Sequence, residues 1–227
     1  MKVSFSHYPK PFRAAIKMLK GDRADLGLVS QAFTHPPCMR VDLGTAKSFR
    51  MIGKKDIPGS GAVWFRSFLA PCFFIGAAVK DKKGMVARAV AGHFETSFNY
   101  SDVEEMLSKI SPIKPDEKVN AFLAGSSQRI TESRVLKNVN DIVSAFKNIG
   151  LPMQIDTDNW YLPVLSDVKK NNMIISDLGN SDEEEVLTRM VYFGVASEDS
   201  MLFCTHRIGE KIQRVRIITS DVGPIDL

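Results

Sequence analysis

Cys72 and His93 sit in the stretch APCFFIGAAVKDKKGMVARAVAGHFE, one in each of two apolar runs separated by Asp81-Lys-Lys-Gly84. A thiol beside an imidazole can act as a nucleophile and its base. A free cysteine has a pKa of about 8.5; a neighbouring imidazolium stabilises the thiolate, which is the attacking species. The same histidine then protonates the leaving group, a step that matters most when that group is a nitrogen, as in an amide or carboxamide. The alternative is packing, with Cys72 a small apolar core residue and His93 a strand-end histidine bonded to backbone.

Whether the two meet depends on the elements that carry them. Cys72 to Lys80 and Met85 to Phe94 read as the strands of a β-hairpin around DKKG. With a four-residue connection Lys80 faces Met85, and antiparallel pairing carried along the strands sets Cys72 opposite His93, with Cβ atoms about 4.5–5.5 Å apart. A three-residue turn or a bulge would break that register. Downstream, Ser101-Asp-Val-Glu104 has capping-box spacing before Met106, Leu107 and Ile110, which predicts a short helix. Val119 to Leu123 predicts a strand that ends in Gly125, Ser126 and Ser127. Val135, Val139, Ile142, Val143 and Phe146 then recur at helical spacing up to Gly150. Leu151 to Ile155 and the MIIS segment before Asp177 read as short strands, and Asp182 to Met190 as an acidic helix. Met201 to His206 and Ile212 to Thr219 form a closing hairpin around RIGE. The first sixty residues, punctuated by YPKP, THPP and IPGSG, read as a loop-rich lead-in with one short helix at Phe12 to Lys20.

The length of 227 residues suits one packed domain with appendages, and 44% apolar with 25% charged residues is an ordinary globular balance. No stretch approaches the roughly 20 apolar residues that span a bilayer, and the N-terminus lacks the unbroken apolar core of a Sec signal. A net charge of +4, from 30 basic and 26 acidic residues that are interspersed, does not argue for a nucleic-acid partner. The three cysteines, Cys38, Cys72 and Cys204, are not a disulfide framework and point to reduced thiols in the cytoplasm.

The stretch around Cys72, with small and apolar residues before the cysteine, a strand, DKKGM and a strand carrying His93, resembles the CheD-like chemoreceptor glutamine deamidases. KVNAFLAGSSQRITESRVLKNVNDIVSAFKNIGLPMQI is similar to the strand, Gly-rich loop, helix and strand that follow in that family. The resemblance runs from about Ala62 to Asp177. It implies a layered α/β/α sandwich with a mixed sheet, preceded by an N-terminal extension (1–61). The catalytic core is then 62–177, and 178–227 forms a C-terminal helix and β-hairpin addition packed on that core. It also implies hydrolysis of protein glutamine side chains to glutamate, with Cys72 as nucleophile and His93 as base. Arg66 stands where the family has a threonine that orients the histidine; Ser67, next to it, is the candidate for that third role. LAPC replaces the family's LGSC-type turn, so Pro71 removes a backbone donor. Backbone N–H groups of Cys72 or Phe73 are the candidates for an oxyanion hole.

The implied partner is a protein substrate, a chemoreceptor or another glutamine-bearing protein, without nucleic acid, membrane insertion, cofactor or metal. A similar Cys-His constellation occurs in deamidating toxins of the cytotoxic necrotizing factor type, so an effector delivered without a Sec signal stands beside a cytoplasmic chemotaxis role. A noncatalytic CheD-like interaction module in signalling is the alternative.

Rival features read more simply. His35, Cys38, Cys204 and His206 supply a zinc ligand set without zinc-finger spacing. Gly125-Ser-Ser-Gln-Arg129 lacks the spacing and lysine of a P-loop. Trp64, Phe65, Phe68, Phe73 and Phe74 form an aromatic group beside Cys72, read as core or as an apolar lip for substrate. Asn180 to Glu185 is the acidic start of a helix.

Overall fold

The computed structural model describes residues 12, 38–40, 47–69, 72–125, 132–151, 154–156, 164–166, 172–176, 188–208, 211–219 and 225–226. In chain order the strands are β1 (Cys38–Arg40), β2 (Lys47–Gly53), β3 (Ala62–Leu69), β4 (Phe73–Lys80), β5 (Val86–Phe94), β6 (Lys118–Gly125) and β7 (Gln154–Asp156). They continue as β8 (Val164–Ser166), β9 (Asn172–Ser176), β10 (Thr188–Ala196), β11 (Ser200–Ile208), β12 (Lys211–Thr219) and β13 (Ile225–Asp226), with helices α1 (Tyr100–Ser108) and α2 (Glu132–Asn148).

Alternation along β4 explains the layering, because successive side chains point to opposite faces and every one from Phe73 to Val79 is buried. Phe73, Ile75, Ala77 and Val79 pack with Val103, Met106 and Leu107 of α1 and Val139, Ile142 and Phe146 of α2. Phe74 and Ala78 face the other way, with Ala89, Ala91 and Phe122, against Phe65, Val191, Phe193 and Leu202. The central sheet, ordered β2-β5-β4-β6-β9, therefore lies between the helices and an outer sheet ordered β1-β3-β10-β11-β12-β13. Both sheets are mixed, since β6 runs parallel to β9 and β1 parallel to β3. The chain thus has the expected layered α/β class, and among the described residues its third layer is a second sheet.

Several local expectations shift. The capping box of α1 is Asn99 with Asp102, two residues before the Ser101–Glu104 pair. Asn99 Oδ1 accepts the Ser101 and Asp102 N–H groups and Asp102 returns the bond to Asn99 N–H, whereas Glu104 accepts from Tyr100 Oη and Asn148 Nδ2 and ties α1 to α2. Asparagine caps as well as serine does, so the local signal was ambiguous. α2 closes in a Schellman motif, with Leu151 N–H donating to Phe146 O and Gly150 N–H to Lys147 O, and Gly150 takes φ 81°. The lead-in to residue 61 contains β2, which pairs along its whole length with β5. Thr188 to Met190, the end of the expected acidic helix, belong to β10; the remainder of that helix lies outside the described residues, as does the expected helix beyond Phe12.

The sheets are joined at their hairpin end. Val86 N–H donates to Ser197 O at 2.8 Å, and Lys80 Nζ lies 3.2 Å from Asp199 Oδ1. Along the same edge Arg88 clasps the segment after α1, with Nε donating to Ile110 O at 2.7 Å and a two-pronged pair to Glu117 at 2.8 and 2.9 Å. The Arg88 hydrogen bonds, with help from the Lys114 N–H and against the cost of burial, push the Glu117 carboxyl down from 4.5 to about 2. A depressed folded-state pKa contributes stability that is full above the unfolded value and lost as pH falls through the folded one. The melting-temperature gap between wild type and Glu117→Gln should therefore be constant above about pH 5 and shrink steadily from 4.5 towards 2. A gap that does not change across that window would refute the assignment.

Candidate active site

Ser67 comes to the site from β3 and His93 from β5, one on each sheet. Ser67 alternates with Phe65 and Leu69, so its side chain enters the space between the sheets. His93 pairs with Phe74, which faces the same space. Ser67 Oγ lies 2.7 Å from His93 Nδ1, a short buried hydrogen bond across the two layers. Both residues are buried, Ser67 at 0% and His93 at 3% exposure.

Cys72 is not directly opposite His93, as the hairpin register had predicted; Phe74 holds that place. The turn accounts for the difference. Asp81 N–H donates to Met85 O and Gly84 N–H to Asp81 O, each at 2.8 Å, so Lys80 pairs with Val86. An irregularity between Val79 and Lys80 adds a second step, and Val79 pairs with Arg88. The Asp81 side chain holds this turn by accepting from Lys83 and Met85 N–H, and the Met85 bond leads in holding its carboxyl below the usual range. A slip of one residue would have put Cys72 and His93 on opposite faces; a slip of two restores the face. Cys72, which immediately precedes β4, packs in the inter-sheet cluster with Phe74 and Leu69 and is 8% exposed.

One support and one neighbour of the site escaped the sequence reading. Asn138 of α2, 1% exposed, donates from Nδ2 to Thr96 O and anchors the chain just past β5. Ser48 on β2 is the register partner of His93 on the side away from Phe74. Its position depends on β2 joining the sheet, which no local pattern announced.

The strand order separates the two cysteines of the rival zinc set, while His35 lies outside the described residues. Cys38 on β1 and Cys204 on β11 are three strands apart in the outer sheet, about 14 Å at the usual strand spacing, too far for one ion. Among the described residues no group of three His, Cys, Asp or Glu side chains is arranged to hold a metal. The aromatic group divides among the layers. Trp64 meets Phe12 edge-on at 5.6 Å on the far face of the outer sheet, Phe65 and Phe74 lie between the sheets, Phe73 faces the helices and Phe68 is 45% exposed. Ser126 to Arg129 and Asn180 to Glu185 lie outside the described residues. No described helix is long and apolar enough to cross a membrane.

No family model matches the sequence. No curated protein matches it either. Among solved structures, the chain is similar to the C-terminal domain of CNFy from Yersinia pseudotuberculosis, with a TM-score of 0.37 and 15% identity; the match covers 84% of this chain and 62% of that one, less than two thirds of its length.

Proposed function

We propose that the chain is a cysteine-dependent protein-glutamine deamidase, with Cys72 as nucleophile, His93 as base and Ser67 as the residue that orients the imidazole. The observation that carries the reading is the buried Ser67–His93 hydrogen bond, with Cys72 on the same face of the central sheet. We assign His93 the tautomer in which Nδ1–H donates to Ser67, which leaves the Nε2 lone pair to take the thiol proton. The thiolate attacks the carboxamide carbon, and the tetrahedral intermediate collapses as His93 returns the proton to the departing nitrogen, releasing ammonia. Water, deprotonated by His93, hydrolyses the thioester to glutamate and free thiol. Phe73 pairs with strands on both sides, so the Cys72 backbone N–H is the preferred oxyanion donor.

The substrate would be a glutamine-bearing protein, and the CheD-like resemblance suggests a cytoplasmic signalling role. A second reading is a noncatalytic interaction module, favoured by the burial of all three side chains. The same bond would then serve only to join the sheets. Alkylation of Cys72 against pH, followed by mass spectrometry in wild type and His93→Ala, separates the two. An activated pair reacts below about pH 7 and slows by roughly 10- to 100-fold without the imidazole, as the thiolate fraction falls to that of a free thiol. Equal rates in both proteins would favour the interaction module.

A further inference from the structure

The Ser67–His93 bond spans two sheets with short side chains, so it forms only at one spacing between the layers. The inner face of the central sheet is lined next to the site by small residues, Gly76, Ala78, Ala89, Ala91 and Ala124, while the outer sheet presents Phe65 and Phe193. Phe193 lies directly on Gly76. A Cβ at Gly76 would sit 2.8–2.9 Å from three carbons of the Phe193 ring. That ring has no room to swing, being stacked on Phe65 at 5.8 Å on its own sheet and flanked by Phe122 at 5.6 Å on the facing one. The contact is one row from the site, because Gly76 is two residues from Phe74, the partner of His93, and Phe65, the partner of Phe193, is two residues from Ser67. Two residues of strand are about 7 Å.

We propose that Gly76 is a positioning residue for His93: by seating Phe193 against bare backbone, it sets the sheet spacing at which Ser67 Oγ reaches His93 Nδ1. A methyl group there needs carbon contacts near 3.5 Å, which drives the layers apart by about 0.7 Å. A 2.7 Å bond lengthened by that amount is no longer a normal hydrogen bond. The catalytic meaning of this spacing rests on the deamidase reading; the spacing itself does not.

The test compares Gly76→Ala, Phe193→Leu and the double variant by imidazole nitrogen NMR, with the His93 signals identified by their loss in His93→Ala. Gly76→Ala is expected to lose the hydrogen-bonded Nδ1–H signature and to shift His93 towards the tautomer mixture of free imidazole. Its Cys72 alkylation should slow by about tenfold, the loss of one hydrogen bond's orientation. The double variant, which lacks the ring that the methyl group would meet, should recover both readouts to the level of Phe193→Leu. A folded Gly76→Ala protein with the wild-type His93 signature would overturn the proposal. So would a double variant that loses the signature while Phe193→Leu keeps it, and this comparison decides the matter if Gly76→Ala does not fold. A Cys72 that is inert in wild type while the His93 signature is present and responds to Gly76 would instead remove the deamidase reading and leave the spacing role in place.

Discussion

Wild-type protein incubated with cell lysates in water labelled with heavy oxygen is expected to convert particular glutamines to labelled glutamate, and Cys72→Ala is expected to convert none above background. The label matters because thioester hydrolysis places one solvent oxygen in each new carboxylate. Loss should be complete, since without the sulfur no acyl-enzyme forms and neither His93 nor Ser67 is a nucleophile placed to substitute. Cys72→Ala is also a mild change for packing: it removes one sulfur from a side chain that is already 8% exposed, so the fold should survive. Labelled sites at wild-type level in the Cys72→Ala sample would end the proposal. Sites that depend on Cys72 would name the substrate.

Gly92→Val should destabilise the fold by about 3 kcal/mol, the upper part of the range for overpacking a filled core. Gly92 precedes His93 and faces the helices, where a built Cβ would overlap Met106 Sδ and stand 2.7 Å from Phe94 Cε2. Both neighbours are packed in the core. Met106 is fully buried in α1, and the Phe94 ring is held by Phe98 at 5.4 Å, itself edge-on to Phe73 at 5.4 Å. The clash would push α1 off the central sheet and strain the backbone that carries His93. The urea midpoint is the measurement, and a midpoint equal to wild type would show that the helix gives way at little cost. Gly92→Ala should fall between the two proteins.

The elements nearest the site were largely legible. The apolar runs around DKKG became β4 and β5, Val139, Ile142 and Phe146 became the buried stripe of α2, and the hairpin around RIGE became β11 and β12. Each is a local pattern, in which period and turn residues act within one segment. The same logic placed His93 on β5 and Cys72 at the start of the neighbouring run, where the structure has it just before β4. It could not count the residues absorbed by the turn, because the irregularity at Val79 and Lys80 leaves no mark in composition.

Ser67 shows where local information stops. Ser67 was the sequence candidate for the third role, but strand alternation makes it and Arg66 face opposite ways without saying which faces the site. The choice is made by β10, whose residues 189–196 pair antiparallel with 62–69 and turn Phe65, Ser67 and Leu69 inward. The sequence by itself determined which residue types could form a thiol-imidazole pair and which segments would carry them, since propensity and period are properties of short stretches. Register, the facing of two sheets, and the meeting of Ser67 with His93 were decided only by the tertiary structure, because each depends on packing between segments far apart in the chain.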